Sequence, residues 1–186
     1  MTALYIIIAI VVLLGLWAIG AYNGLITSRN QADEALSDID VQSKRRYDLI
    51  PNLVETVKGY VKQEKGVLEE VTKARSEAIA AGNKGLDQQQ QAENNLTGAL
   101  RSVFAVTENY PDLKSSANFQ QLFGELTDTE NKLEAARRFY NATVRDYNTK
   151  LQVFPTNMIG NSMGFTKKDL FAVENATERE AVKVSF

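Results

Sequence analysis

The chain has 186 residues, with 21 basic and 23 acidic side chains, and it contains neither cysteine nor histidine. This length suits one small domain, and the balanced charge argues against a nucleic-acid partner, because phosphate binding needs a cationic surface. Without cysteine there are no disulfides or thiolate metal sites, and without histidine there are no Ser-His-Asp triads or histidine-based zinc sites. We therefore predict no catalytic residue, no metal ligand and no cofactor.

The first element is an apolar segment without charges, from Ala3 to Ala21. At about 1.5 Å per residue it nearly crosses a hydrocarbon core of roughly 30 Å, which predicts a membrane anchor at residues 1–26 with its transmembrane part at about 3–22. A cleaved signal peptide is the alternative, although the positive start of such a peptide is missing.

Two glycines lie at the end of this span, Gly20 and Gly24. Their GxxxG spacing allows two membrane helices to approach closely, and the other interpretation is that they are incidental small residues. Basic residues follow the span closely and none precedes it; they are Arg29, Lys44, Arg45 and Arg46. Since such residues tend to stay in the cytoplasm, we expect the short N-terminus outside and the remainder inside, with a periplasmic bundle as the alternative.

Three long amphipathic helices are predicted after the span, at about 28–81, 87–110 and 116–154. Glycines 82 and 85 supply the end of the first helix, and Pro111 and Pro155 limit the second and third. The third helix has the strongest periodicity, with one series of apolar residues seven apart: Phe119, Leu126, Leu133, Tyr140, Tyr147 and Phe154.

These elements predict an all-α fold, in which an N-terminal transmembrane helix is followed by an elongated antiparallel helical bundle at 27–154. A C-terminal segment, 155–186, would pack back on the bundle, with a short helix over 167–174 and a strand over 182–186. The first helix is longer than the second, so part of its apolar stripe would be uncovered in a single subunit. This predicts a homo-oligomer, because monomers rarely expose large apolar stripes.

A polar cluster and a proline interrupt the first helix. The residues concerned are Ser43, Lys44, Arg45, Arg46, Pro51 and Asn52. Because apolar residues keep their spacing of seven through the proline, a kinked continuous helix is favoured over two helices. The bend and the bases would shape a polar contact between helices, with Glu108, Glu130 or Glu134 as candidate partners. The alternatives are bases that extend into solvent from a merely curved helix, and contact with anionic lipid headgroups.

A Tyr-Asn pair occurs twice, one heptad apart, as Tyr140-Asn141 and Tyr147-Asn148. Both tyrosines belong to the buried series, and buried tyrosines usually place their hydroxyls on a partner. We interpret the four residues as a structural polar layer; a ligand pocket is the alternative.

Several long stretches resemble the LemA family of bacterial membrane proteins. They are RNQADEALSDIDVQSKRRYDLIPNLVETVKGY, ALRSVFAVTENYPDLK, ELTDTENKLEAARRFYNATVRDYN and LQVFPTNMIG, and the resemblance extends from the anchor to the C-terminal KVSF. Two departures are small: Ser43 stands where relatives often have an apolar residue, and Met163-Gly164-Phe165 where they often have Phe-Gly-Phe.

The resemblance implies a membrane helix, an outside N-terminus, a helical bundle and location in the bacterial inner (cytoplasmic) membrane. The family has no established enzymatic activity and therefore no catalytic residues to transfer. Some relatives are associated with membrane-bound metalloproteases, and one branch with formation of the magnetosome membrane.

Three hypotheses about function follow. The first is a single-pass scaffold that self-associates into a ring or array organising or shaping the membrane, with the lipid bilayer and further copies as partners. The second is an adaptor or regulator of a membrane-bound protease or another membrane protein. The third, a metal-dependent enzyme with oxygen ligands, lacks any carboxylate cluster with the spacing of a known site.

Overall fold

The computed structural model describes residues 1–61 and 64–171, and within them every regular element is a helix, which confirms the all-α prediction. The elements in chain order are α1 (Thr2–Lys58), α2 (Lys65–Ala81), α3 (Leu86–Thr107), α4 (Pro111–Lys114), α5 (Ala117–Lys150) and α6 (Thr156–Ser162).

Helix α1 contains both the apolar span and the start of the bundle, because it continues without a break from Thr2 to Lys58. No side chain of the span is buried, and the stretch is long and apolar enough to cross a membrane. Burial begins at Leu25 and continues with Ala32 and Ala35, which are at most 1% exposed. No loop therefore separates the predicted anchor from the packed residues that follow it.

The predicted helix over 28–81 is wrong, because the chain leaves the helical conformation after Lys58 and resumes it at Lys65. Gly59 is a poor helix former, and the turn allows Val61 to enter the core at 3% exposure. The spacing of seven residues continues across this turn in the sequence, since the buried Val57 and Val71 are fourteen residues apart. For that reason periodicity alone could not distinguish one long helix from two helices folded back on each other.

This reversal buries the apolar stripe that was expected to remain uncovered. Ile50, Leu53 and Val57 of α1 share one core with Leu68 and Val71 of α2, and all five are at most 6% exposed. The apolar stripe of α1 therefore gives no support to self-association, because α2 folds back and covers it within the same chain.

The remaining boundaries differ from prediction by a few residues. Helix α3 ends at Thr107 rather than 110, and α5 ends at Lys150 rather than 154. Pro111 does not simply terminate a helix, since it begins the short α4, where its missing N–H and fixed φ are tolerated.

The chain forms two compact units. One contains residues 1–39 and 135–170, and the second contains 40–134 together with Phe171. We call the first the anchor unit and the other the second unit. The anchor unit has a core of Leu25, Tyr147 and Leu151, against which Ile159 and Phe165 pack.

In the anchor unit, α6 approaches α1 and α5 closely. A Cβ atom on the buried Gly160 would stand 2.8 Å from Leu151 Cδ2 and 3.8 Å from Leu25 Cδ1. Any larger residue would therefore force Leu151 to move. The glycine permits the C-terminal segment to pack beside the first residues after the membrane span.

The described part of the predicted helix over 167–174 is not helical. The reason is that side chains of α5 bind its backbone: Thr166, Lys168 and Asp169 all offer carbonyl oxygens to residues of that helix. The predicted strand over 182–186 lies outside the described residues.

Candidate functional site

A buried arginine connects three helices of the second unit. Arg46 of α1 is 1% exposed, and its Nη1 lies 3.2 Å from Glu93 Oε2 of α3 and 3.1 Å from Glu130 Oε2 of α5. Its Nη2 donates to Thr97 Oγ1 at 2.7 Å. Since a guanidinium has donors fixed in a planar fork, these contacts define how the three helices are aligned along their axes.

Tyr47 and Thr97 complete this cluster. The Tyr47 hydroxyl donates to Glu93 Oε1, and the Thr97 hydroxyl donates to Glu130 Oε1 at 3.3 Å. Burial, followed by the charge of Glu93, raises the pKa of Tyr47 well above its ordinary value of 10.0. The phenol therefore stays neutral and serves as a donor to a carboxylate that is itself 1% exposed. We call these five residues, Arg46, Tyr47, Glu93, Thr97 and Glu130, the Arg46 cluster.

Pro51 leaves one backbone carbonyl of α1 without its helical hydrogen bond, and a side chain of a neighbouring helix supplies the missing donor. Because proline has no N–H, it cannot bond the carbonyl of Tyr47, four residues earlier. That oxygen instead accepts a hydrogen bond of 2.7 Å from Nε of Arg75 in α2. The helix continues through the proline, as the spacing predicted. The hydrogen bond from Arg75 to the Tyr47 carbonyl connects α2 to α1.

The other residues of the predicted polar cluster are distributed around α1. Ser43 is buried, whereas Arg45, Pro51 and Asn52 are exposed. Lys44 is exposed and pairs with Asp48 in its own helix at 2.6 Å. Of the six, Arg46 is the one whose side chain pairs with carboxylates of other helices in the described residues.

Among the three predicted carboxylate partners, Glu130 pairs with Arg46, while Glu108 pairs with Lys114 at 2.6 Å. Glu93, Tyr47, Thr97 and Arg75 were not predicted. A signal for Glu93 was available: it lies seven residues before Leu100, so the apolar seam of α3 carries a carboxylate where an apolar residue was due. A charged residue at such a position needs a buried partner.

The Tyr-Asn repeat holds the segment that follows α6. The hydroxyls of Tyr140 and Tyr147 donate to the carbonyls of Asp169 and Thr166, both at 2.9 Å. Asn148 donates to the Lys168 carbonyl at 2.8 Å and accepts from the Lys168 N–H at 3.0 Å.

Both tyrosines of this repeat are at most 2% exposed, and burial raises the pKa of each hydroxyl. Asn141 is half-buried beside them. The polar atoms of Tyr140, Tyr147 and Asn148 thus bond the chain's own backbone, which is the arrangement expected of a structural polar layer.

Gly20 and Gly24 lie on α1 at the end of the apolar span. Gly20 is exposed and Gly24 is half-exposed, and nothing lies within 4 Å of a Cβ built on either residue. A larger side chain would therefore fit the single subunit without a clash. The role of the pair in contact between membrane helices stays a prediction.

The arrangement of these side chains is suited to fixing structure. Within residues 1–61 and 64–171, no group of three or more His, Cys, Asp or Glu side chains could hold a metal ion. The Arg46 cluster places one guanidinium between two carboxylates, with two hydroxyls as additional donors. Such a cluster can fix the register of helices, because a shift by one turn would leave buried charges without partners.

The exposed apolar helix and the packed helices that follow it define a membrane-associated helical protein. Residues 35–186 match the model of the LemA family. The chain is 30% identical over 173 residues to Protein LemA of Metamycoplasma hominis, and the alignment covers 89% of this chain and 74% of that relative. The chain belongs to the LemA family.

Two further relatives are magnetosome proteins. Over 174 residues the chain is 22% identical to Magnetosome protein MamQ of Magnetospirillum gryphiswaldense and 24% identical to Magnetosome protein MamQ 2 of Paramagnetospirillum magneticum. These alignments cover 81% of this chain and 64% of each relative, so the chain spans somewhat less than two thirds of their length.

Proposed function

We propose that this protein is a single-pass helical scaffold whose copies associate side by side and thereby organise or shape the membrane. The observation that carries the proposal is the continuity of α1 from the exposed span into the packed residues Leu25, Ala32 and Ala35. A contact made between two spans is transmitted directly to the anchor units, because a helix without an intervening loop joins them.

Self-association in this proposal takes place through the membrane helices. Its support is the GxxxG pair at the end of the span, which is surrounded by open space in the single chain. Small residues at a helix surface allow backbones to approach and gain van der Waals contact, which is the main attraction available between helices in lipid.

The test is to replace both Gly20 and Gly24 by leucine in the full chain. We expect the complexes seen in mild detergent or after chemical crosslinking in membranes to dissociate, while the circular dichroism of the protein stays unchanged. Gly15→Leu is the matched control, since Gly15 also has nothing within 4 Å of its Cβ position and lies about 140° around the helix from Gly20. Complexes that survive the double substitution would contradict association through this face.

We further propose that the protein lies in the bacterial inner membrane with a short N-terminus outside and the bundle in the cytoplasm. The support is the bias of basic residues, since the first ones after the span include Arg29, Lys44 and Arg45 and none precedes it.

An adaptor or regulator of a membrane-bound protease is the second candidate function. It is favoured by an aromatic groove of ≈ 490 Å³ in the second unit, lined by Phe104, Phe119 and Phe123, of which Phe123 is 42% exposed. Exposed aromatic side chains of this kind are typical of protein–protein contacts. A photo-crosslinking residue at position 123 should then capture one dominant foreign protein in cells, whereas self-adducts would favour the scaffold.

A further inference from the structure

A second apolar surface lies beside the end of the membrane span. The turn after α5 and the helix α6 expose Val153 at 47%, Phe154 at 79%, Met158 at 61% and Met163 at 62%. We call these four residues the apolar corner. Clusters of exposed apolar side chains are costly in water and usually mark a contact surface.

The corner is held at a defined height on α1. Leu25 packs in one core with Leu151 and with Ile159 of α6, and the ring of Phe165 lies 5.8 Å from that of Tyr22. Leu25 is three residues beyond Tyr22, which corresponds to about 4.5 Å along a helix. The headgroup layer on each side of a bilayer is roughly 5 to 8 Å thick, so residues packed at this level lie within it.

Cationic side chains occur at the same level. Arg29 lies over the ring of Phe165, with its guanidinium carbon 5.7 Å from the ring centre, and the Lys150 amine donates to Ser28 at 2.6 Å. Lys167 is exposed in the segment that follows α6. Apolar side chains bordered by Lys and Arg are the combination found on elements that lie in the membrane interface, where the cations meet anionic headgroups.

We propose that the apolar corner lies in the interfacial layer of the bilayer that α1 crosses, so that the chain contacts lipid at two places. The occupant is the lipid surface, since the corner is continuous with the membrane span through Leu25, Tyr22 and Phe165. A second contact would limit the tilt and rotation of α1 relative to the membrane. The proposal requires that residues 3–22 span the bilayer, but it is independent of self-association.

The test uses the full chain in vesicles of phosphatidylethanolamine and phosphatidylglycerol, in a Trp17→Phe background that removes the native tryptophan. Phe154→Trp or Met163→Trp supplies one fluorophore at the corner, and the quencher is lipid brominated on the acyl chain close to the headgroup. We expect roughly a twofold loss of emission at both positions, because a ring buried at the acyl boundary meets the bromine atoms.

Phe139→Trp is the matched control. Phe139 is an exposed phenylalanine of the same unit, at 60%, and it lines a groove with Glu34 and Asp38. Those residues lie about 18 to 24 Å beyond Tyr22 along α1, so bromine should not quench a ring at position 139.

Equal quenching at 139 and at the corner would overturn the proposal. So would a blue-shifted emission at 154 and 163 without quenching, which would mean that other residues of the same chain, and not lipid, cover the corner. The measurement is made with less than one protein per vesicle. Its outcome is therefore independent of whether copies associate, and failure of the scaffold proposal would be recognised separately.

Discussion

Arg45 and Arg46 are neighbours in the chain and have opposite environments. The first is exposed, and the second is 1% exposed and bound to Glu93, Glu130 and Thr97. The charge of Glu93 is compensated in a site that water does not reach. Removal of one partner from such a pair strongly destabilises the folded protein, because the remaining charge is left buried without a partner.

We expect Arg46→Ala to destabilise the protein by about 3 to 5 kcal/mol, and Arg45→Ala to change the free energy of unfolding by less than about 0.5 kcal/mol. The measurement is urea unfolding of the full chain in mild detergent, followed by circular dichroism. Replacing Arg46 and Glu93 together by leucine should recover much of the loss, since no charge then remains buried between them. A similar cost for both single arginine variants would contradict the importance of the cluster.

Tyr47 gives the cluster a pH dependence in the alkaline range. Burial and the charge of Glu93 raise its pKa in the folded protein above 10.0, whereas in the unfolded chain it returns to about that value. The resulting stabilisation is complete below pH 10 and is lost as the pH rises from there towards the folded-state pKa.

We therefore expect the stability of the native chain to fall more steeply above pH 10 than that of Tyr47→Phe, which has no phenol to ionise at this position. Thermal unfolding curves recorded in parallel between neutral pH and pH 11 measure the difference. Parallel loss of stability in the two proteins would show that Tyr47 does not ionise more easily on unfolding.

Among the helices, α1 and α2 depend on each other through a proline. Pro51 leaves the Tyr47 carbonyl without its helical donor, and Arg75 of α2 supplies one at 2.7 Å. The cost of a proline inside a helix is thus partly offset by a contact with another helix. Arg75 should therefore contribute most to the free energy of unfolding when proline occupies position 51.

We expect Arg75→Ala to cost about 1 to 2 kcal/mol in the native background and about 1 kcal/mol less after Pro51→Ala, because the new N–H at residue 51 can bond the Tyr47 carbonyl. A double-mutant cycle by urea unfolding measures this coupling. Lys73→Ala is the control, since Lys73 pairs with Glu77 in its own helix and should cost the same in both backgrounds. Additive effects of the proline and arginine substitutions would contradict the link.

For the molecule as a whole, the proposed topology assigns opposite sides of the membrane to the N-terminus and to the helices after the span. The absence of cysteine makes this directly measurable, because any cysteine introduced is unique. Thr2 and Arg45 are both exposed and lie before and after the span.

We expect a membrane-impermeant maleimide to label Thr2→Cys in intact spheroplasts and to label Arg45→Cys only after lysis, because the basic residues after the span keep that side in the cytoplasm. Labelling of residue 45 in intact spheroplasts, with residue 2 protected, would establish the periplasmic bundle instead.

The sequence was sufficient for the features that depend on local composition and periodicity. An uncharged run of apolar residues indicates a membrane helix whatever follows it, and the apolar series of α5 indicates a buried helical face whatever packs on it. The continuity of α1 through Pro51 was predicted on the same basis. These properties belong to a segment and its solvent, so they can be read from the segment alone.

Features that depend on contacts between distant segments of the chain could be established only from the tertiary structure. The reversal after Lys58 buries the seam for which a second subunit was predicted. Glu93 and Arg75 are partners of α1 only because α2 and α3 pack beside it. The backbone of residues 166–169 is likewise held by side chains about twenty to thirty residues earlier. Periodicity reports which face of a helix is buried, but it carries no information about which helix covers that face.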